Sequence, residues 1–270
     1  MPELPEVETV RRLVERRLRG RRIASVITAP DPIVFEGTSP RRFAAALTGR
    51  RVVAVRRRGK HLWMELDRRP WPLLHLGMSG WLEAVRRGAP RPRFWKLELV
   101  AEDGGRVAFT DPRRLGRIRL RQDPPGERPV SRLGFDPLEG LPAPRVLRAL
   151  LRRRSGPMKA VLLDQSLFAG VGNWIADEVL YQARLDPRRA ASSLDAEEVA
   201  RLRGRILSVV RRAVAVSADS DRFPRTWLFH HRWGRRKNAR TARGEKIVHL
   251  TIGGRTTAFV PSRILPPTSD

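Results

Sequence analysis

The sequence contains no cysteine. This absence excludes disulfide bonds, thiolate metal sites and thiol nucleophiles, so any catalysis must use oxygen or nitrogen groups. No apolar run approaches the ~20 residues needed to cross a bilayer, and the N-terminal segment lacks the apolar centre of a signal peptide. We therefore expect a soluble, intracellular protein in the cytoplasm, associated with the nucleoid if its source is bacterial.

Lysine is scarce, because only five lysines accompany fifty arginines in a chain of net charge +27. A charge of this size opposes compact folding through self-repulsion unless a polyanion neutralises it, which indicates nucleic acid as the partner. A GC-biased, arginine-rich composition is the alternative explanation. Among so many arginines, Lys60 and Lys159 can mark positions that need a primary amine.

Apolar spacing divides the 270 residues into a β-rich part and a helical part. The stretch "PEVETVRRLVERRL" has helical spacing, with Pro5 suited to a first turn. Short apolar alternations from about residue 23 to 121 predict an antiparallel sandwich or barrel. The Pro- and Gly-rich segment 121–144 predicts a connector, after which amphipathic helices precede two strands joined at Gly253-Gly254.

The opening stretch "MPELPEVETV" places a proline and two glutamates where a nucleophile and its proton carriers could lie. If the initiator methionine is trimmed, Pro2 becomes a secondary amine, and an α-amino group that titrates near pH ~8 is partly neutral at pH 7. Its attack on a carbonyl-like carbon gives a cationic imine, with Glu3 to transfer protons and Glu6 one turn along. The alternative is an acidic helix start with incidental prolines.

The segment "PELPEVETVRRLVERRLRGRRI" resembles the N-terminus of the Fpg/Nei family, the formamidopyrimidine-DNA glycosylases also called MutM, and further matches follow along essentially the whole chain. The resemblance implies a bifunctional DNA glycosylase and AP lyase of base excision repair. It implies that Pro2 attacks C1′ of a damaged nucleotide, that Glu3 is the general acid and base, and that Glu6 positions the terminus. The expected partner is double-stranded DNA with oxidised bases or abasic sites, bound by a monomer.

The segment "RRRGKHLWMEL" places Lys60 on the family's β-hairpin lysine, which implies phosphate contact and proton donation. A solvated basic turn is the alternative. "HLGMSGWL" and "FTDPRRLGRIRL" resemble the two loops that fill the hole left by an extruded base. Met78 and Arg113 match the first two wedge residues, and Leu115 replaces the usual phenylalanine. Met78 and Leu115 could instead be core residues.

"GPMKAVLLDQSLFAGVGNWIADEVLYQARLDP" resembles the family's helix-two-turn-helix element. Gly170 and Gly172 permit close backbone approach, and Asn173 lies at a helix N-terminus, where the dipole favours a phosphate. Lys159 matches the family's basic contact near the lesion. A helical hairpin with an asparagine cap is the alternative. Two further residues are assigned to DNA contact: Lys96 and Arg114.

Bacterial members of the family carry a zinc finger in the tail, but the four template positions here are occupied by Arg240, Arg243, Val260 and Arg263. No zinc or other cofactor is therefore expected, and the three histidines of this region are interpreted as structural or solvent-facing. "FPRTWLFHHR" and "GGRTTAFVP" resemble the zincless finger of plant and fungal members. This match implies that Arg255 contacts phosphates and assists the last elimination, although an ordinary arginine after a Gly-Gly turn is the alternative.

The predicted fold class is α+β multidomain. It comprises an N-terminal antiparallel β-sandwich with an N-terminal helix, residues 1–133, and a helix-two-turn-helix domain, residues 134–233, followed by a zincless β-hairpin finger and tail, residues 234–270.

The short stretch between Val216 and Trp227 encloses a flipped base less than the longer bacterial loop, which implies formamidopyrimidines and hydantoins as better substrates than 8-oxoguanine. Two rival hypotheses are a Nei-like specificity for oxidised pyrimidines and a damaged-DNA-binding protein without catalysis.

Overall fold

The computed structural model describes residues 2–234 and 238–266. The chain forms two compact units, residues 1–132 and 133–270. The predicted third domain lies partly outside the described residues, at 235–237 and 267–270, as does the initiator methionine. Within the described ranges, no helix has the length and apolar character needed to cross a membrane.

The first unit begins with the predicted N-terminal helix, α1 (Leu4–Leu18). Its apolar residues recur on one face and are almost completely buried: Val7, Val10, Val14 and Leu18. Burial of this stripe, rather than intrinsic propensity, stabilises an amphipathic helix of this length. The sequence prediction of a helix at this position is confirmed.

Eight strands follow, and they form two antiparallel four-stranded sheets of order β1-β6-β7-β5 and β2-β3-β4-β8. Their bounds are β1 Ile23–Thr28, β2 Val52–Arg58, β3 His61–Leu66, β4 Trp71–His75, β5 Trp81–Val85, β6 Trp95–Ala101, β7 Arg106–Thr110 and β8 Arg117–Arg121. One buried cluster takes side chains from both sheets and from α1. The predicted antiparallel sandwich is confirmed.

A second helix, α2 (Pro40–Leu47), interrupts the β-rich region. The sequence pattern between residues 23 and 121 did not predict this helix, because eight residues are too few to show a clear helical period. The local signals are present: the Ser39 side chain accepts the Arg42 N–H at 3.1 Å, and Pro40 occupies the first turn. Phe43 and Leu47 bury the inner face.

The second unit is helical and ends in a β-hairpin, as the sequence predicts. The helices are α3 Pro144–Arg152, α4 Met158–Leu163, α5 Asn173–Ala183 and α6 Ala196–Ala215, and the strands are β9 Val248–Ile252 and β10 Arg255–Phe259. The hairpin turn is Gly253-Gly254, with φ of +55° and +71°. Glycine adopts this left-handed conformation without steric cost, which explains the pair at the turn.

Candidate active site

Glu3 caps α1 directly after Pro2. Its carboxylate accepts the backbone N–H of Glu6, and the Glu6 carboxylate accepts the Glu3 N–H at 3.0 Å, which forms a capping box. Glu3 is buried and Pro2 is half-buried. The capping box therefore fixes the carboxylate of Glu3, the residue that adjoins the predicted nucleophile. The structure places the three predicted N-terminal residues together at the start of α1.

Glu6 has a strongly perturbed acidity. Burial of its carboxyl group, followed by the nearby charge of Glu3, raises the pKa of Glu6 to about 7. Two carboxylates this close resist simultaneous ionisation. A carboxyl group that titrates near neutral pH can both take up and release a proton, which is the property required of a proton carrier beside a reacting group.

Lys60 lies in the tight turn between β2 and β3, after Gly59 with φ +57°. The buried Arg57 side chain connects this turn to the first helix: its Nε donates to Glu8 at 3.1 Å and its Nη1 donates to the Gly59 carbonyl at 3.0 Å. Glu8 is on α1, which Glu3 caps. The same helix therefore stabilises the turn that contains Lys60.

Two histidines near Lys60, His61 and His75, were not among the candidate site residues predicted from the sequence. The rings of His61 and His75 face each other across β3 and β4, with centroids 4.8 Å apart. Burial, followed by positive neighbours that include Lys60, lowers the pKa of His61 to about 3 and that of His75 to about 4. Both imidazoles are therefore neutral at pH 7. The only sequence signal was their position, immediately after Lys60 and at the start of "HLGMSG".

Asp111 connects the two loops that carry the wedge candidates. This fully buried carboxylate accepts hydrogen bonds from Ser79 Oγ at 2.6 Å, from the Arg113 N–H at 3.1 Å and from the Gly116 N–H at 2.6 Å. The loops also pack closely, since a Cβ on Gly77 would lie 2.4 Å from the Leu115 carbonyl carbon. Sequence reasoning missed this anchor, whose signal was the Asp-Pro pair before two arginines.

The three wedge candidates are at the surface. The residues Met78 and Leu115 are 41% and 37% exposed, and Arg113 is exposed as well. An apolar side chain buried in a core would have lost nearly all of this area. The core interpretation of Met78 and Leu115 is therefore wrong, and their assignment to DNA contact stays a prediction.

Lys96 and Arg114 meet on one carboxylate, that of Asp31. Arg114 binds both Asp31 oxygens, at 2.9 and 3.0 Å, and the Lys96 ammonium lies 2.9 Å away. Burial alone would raise the pKa of Asp31, but these hydrogen bonds outweigh it and lower the pKa to about 2. Arg114 keeps 47% of its side chain exposed, while Lys96 keeps only 14%. The pairing orders this surface and leaves Arg114 accessible.

Lys159 is completely buried. Its ammonium lies 2.5 Å from the Asp177 carboxylate and donates to the Asn173 carbonyl at 2.9 Å. This burial corrects the assignment of Lys159 to direct DNA contact, because the charged group faces the protein interior. The hydrogen bonds of Lys159 to Asp177 and to the Asn173 carbonyl instead hold the first turn of α5, where Asn173 lies.

Asp177 also connects the helices to the hairpin. Its second oxygen accepts hydrogen bonds from Arg232 Nε and Nη2, at 3.0 and 2.6 Å, and from the Ala258 N–H of β10 at 3.1 Å. Asn173 adds a second link, since its Nδ2 donates to the Thr256 carbonyl at 2.9 Å. Thr256 adjoins Arg255, which is exposed at the start of β10. The structure therefore brings Asn173 and the residue next to Arg255 into contact.

The four positions that match the zinc template do not supply metal ligands. Val260 is buried in an apolar cluster, and Arg263 pairs with Glu245 at 3.3 Å. Arg240 donates to the Gly244 carbonyl at 2.7 Å, which is again a structural contact. Zinc requires thiolate, imidazole or carboxylate donors. Among the described residues, no group of three or more such side chains is placed to hold a metal ion.

The short segment after α6 is ordered by aromatic packing. Ser217 and Ala218 adopt φ of +57° and +55°, and a short 3₁₀ turn follows. Phe223 and Trp227 then pack against Trp174 of α5, with ring centroids 5.6 and 6.4 Å away. The segment therefore returns directly to the helical core.

Comparison with known proteins gives consistent matches over both units. A family model described as the formamidopyrimidine-DNA glycosylase N-terminal domain matches residues 1–118, and one described as the formamidopyrimidine-DNA glycosylase H2TH domain matches residues 133–224. The chain is 40% identical to the formamidopyrimidine-DNA glycosylase of Arabidopsis thaliana, over 97% of this chain and 70% of that protein. It is 42% identical to that of Paracoccus denitrificans, over 82% of this chain and 81% of that protein.

Solved structures agree. The Lactococcus lactis enzyme, non-covalently bound to DNA containing an AP site, superposes with a TM-score of 0.84 at 27% identity and covers 98% of this chain and 100% of its own. MutM in complex with DNA containing carbocyclic 8-oxoguanine gives the same TM-score at 29% identity, with the same coverage. The chain therefore belongs to the formamidopyrimidine-DNA glycosylase family and is an Fpg-type DNA glycosylase, an enzyme that acts on damaged DNA in repair.

Proposed function

We propose that this glycosylase is bifunctional and works through a Schiff base on Pro2 once the initiator methionine is removed. The supporting observation is the capping box, which holds a buried Glu3 carboxylate in the residue next to Pro2. The proline nitrogen attacks C1′, and the glycosidic electron pair departs with the damaged base, which takes up a proton. Glu3 then protonates the sugar ring oxygen as the C1′–O bond breaks and the cationic imine forms.

The imine is an electron sink for two eliminations. Loss of a C2′ proton expels the 3′ phosphate with its C–O electron pair, and a second proton loss expels the 5′ phosphate in the same way. Water then hydrolyses the imine and frees Pro2. Lys60 and Arg255 are proposed to neutralise the phosphates, and Lys60 also to donate a proton. Glu6, with its pKa of about 7, is proposed to hold the terminus and to buffer the charge of Glu3.

Trapping with borohydride tests this mechanism. The wild-type protein, incubated with a duplex containing an abasic site, should give a covalent complex whose cross-linked peptide begins at Pro2. Pro2→Gly should reduce the yield strongly, and Glu3→Gln should impair base excision more than cleavage of preformed abasic sites. Glu15→Gln, at the other end of the same helix, is the matched control and should behave as the wild type.

Two outcomes would refute the mechanism. Equal trapping by a protein extended at its N-terminus would exclude the Pro2 amine as nucleophile. Specific binding to damaged DNA without excision or trapping would instead favour a binding protein that lacks catalysis. Lys60→Met, compared with the exposed Lys246→Met, separates the proposed role of Lys60 from the loss of one positive charge.

We also propose that the hairpin is a zincless finger, held by carboxylates in place of a metal. Asp177 binds Arg232 and the Ala258 N–H, and Glu245 binds Arg263 and the Thr241 hydroxyl, the latter at 2.8 Å. These contacts link β10 and its flanking residues to the helices. They supply the cross-links that four metal–ligand bonds would otherwise provide.

For lesion choice, we propose that ring-opened formamidopyrimidines and hydantoins are excised faster than 8-oxoguanine. Planar 8-oxoguanine differs little from guanine and needs enclosure for discrimination, whereas the segment between Val216 and Trp227 is short. Distorted lesions also stack less well, which lowers the cost of extrusion. Single-turnover excision on matched duplexes should differ at least about tenfold, equivalent to about 1.4 kcal/mol. Equal rates would refute this ranking, and a preference for oxidised pyrimidines would favour a Nei-like specificity.

A further inference from the structure

Phe94 combines two unfavourable properties. Its backbone has φ +61°, a left-handed conformation that is sterically unfavourable for a bulky side chain, and 46% of the residue is exposed. A buried aromatic residue would compensate for a strained backbone through its packing, but Phe94 keeps nearly half of its area in solvent. Strained backbone positions concentrate at functional sites, where the surrounding structure holds them in place. The combination therefore indicates a ring that is presented for contact with another molecule.

Phe94 shares its anchor with the wedge loop. The Asp111 N–H donates to the Phe94 carbonyl at 3.0 Å, while the Asp111 carboxylate binds the N–H groups of Arg113 and Gly116. The strand register agrees, because Thr110 of β7 is opposite both Trp95 of β6 and Trp81 of β5. Phe94 consequently leaves the sheet at the same end as the loops that carry the wedge candidates.

The chemistry at this position fits DNA. The Arg93 guanidinium lies over the Phe94 ring, 4.5 Å from its centroid, so a flat aromatic surface and a positive charge are presented together. Proteins bind unpaired or unstacked bases with this combination, in which the ring stacks on the base and the cation attracts the phosphate backbone. Leu115 lacks such a ring.

We propose that Phe94 is a further DNA-contacting residue, which stacks on a base beside the gap left by the extruded nucleotide and supplies the aromatic surface absent at Leu115. This inference rests on the proposed function, because it requires base extrusion. It predicts that the protein binds lesion DNA tightly with leucine at position 115 only while the Phe94 ring is present.

The decisive variant is Phe94→Gly, because glycine accepts φ +61° while removing the ring. The melting temperature should stay equal or rise, and affinity for a duplex with a non-cleavable abasic analogue should fall at least fivefold, the lower end for one base–aromatic stack. Val53→Ala is the matched control, because it removes an exposed apolar side chain from a residue of the same unit that is 51% exposed, and its affinity should not change. Phe94→Tyr, which keeps the ring, should retain the affinity.

A double variant tests compensation. Leu115→Phe should restore affinity in the Phe94→Gly background by a larger factor than it adds to the wild type. Unchanged affinity in Phe94→Gly would overturn the inference, and so would a fall in affinity accompanied by a lower melting temperature, which would indicate a structural role. Borohydride trapping on preformed abasic sites separates the two proposals: its failure in the wild type refutes the Schiff-base mechanism, whereas the affinity measurement involves no chemistry and judges Phe94 alone.

Discussion

Replacing Asp177 by asparagine keeps the side-chain shape and removes the negative charge from the interior of the second unit. The carboxylate is fully buried and lies 2.5 Å from the Lys159 ammonium and 2.6 Å from the Arg232 guanidinium. Both cations are themselves buried, so neither can turn to water when the charge is lost. Removing one partner of such a buried pair costs about 3–5 kcal/mol, because the remaining charge stays uncompensated.

This loss is large beside the ~5–15 kcal/mol that stabilises a typical domain. Urea unfolding, followed by the fluorescence of tryptophans in the second unit such as Trp174 and Trp227, should show a much lower midpoint for Asp177→Asn. The matched control is Asp186→Asn, which removes a carboxylate paired at 2.5 Å with an Arg188 side chain that is 60% exposed. A surface pair of this kind contributes only about 0–1 kcal/mol.

A second variant distinguishes charge from shape. The double variant Lys159→Met/Asp177→Asn also removes the ammonium group that Asp177→Asn leaves uncompensated. Part of the free energy of unfolding lost in Asp177→Asn should therefore be regained. If Asp177→Asn were no more destabilising than Asp186→Asn, the reasoning that the buried carboxylate balances two cations would be wrong.

Three further predictions concern pH, DNA contact and metal. Burial raises the pKa of Glu178 to about 7 in the folded protein, above the value near 4.5 expected when unfolded, so the contribution of this group to stability is lost as pH rises from 4.5 to 7. Urea midpoints of the wild type should fall across this range relative to those of Glu178→Gln, and a constant difference between the two proteins would contradict the assignment. Arg255→Ala should weaken binding to lesion DNA by about 1–3 kcal/mol in equilibrium titrations, the scale of a lost charge-assisted contact, and unchanged binding would remove Arg255 from the site. Elemental analysis should find no stoichiometric zinc and chelators should leave activity unchanged, whereas one zinc per chain would overturn the proposed zincless finger.

The parts of the site that could be predicted from the sequence are local in the chain. Glu6 lies in the first turn of α1, Glu3 is the N-cap and Pro2 precedes it, so their proximity follows from a single helix prediction. Lys60 lies in a tight turn between two strands that short apolar stretches of the sequence predict. The 15-residue α1 has enough length to show its apolar period, whereas α2 does not.

The parts that could not be predicted depend on contacts between distant residues. Asp31 binds Arg114 across 83 positions, and no local pattern relates them. Lys159 and Asp177 are 18 positions apart, and their pairing requires α4 to pack on α5. The assignment of Lys159 to DNA contact came from the resemblance of its motif to the family's helix-two-turn-helix element, and its burial could be recognised only once the helices were placed together.

Arg113 and Arg114 are neighbours in the loop 111–116 but make different contacts. This difference affects how the enzyme responds to ionic strength. Arg114 binds Asp31 in a bidentate pair that is partly buried, while Arg113 is exposed. Added salt screens exposed charges far more than buried pairs and competes with cations for phosphates. Salt should therefore shorten the time the enzyme spends on undamaged DNA while the loop retains its shape, so the rate of scanning along the duplex can vary without altering the surface that inspects each base pair.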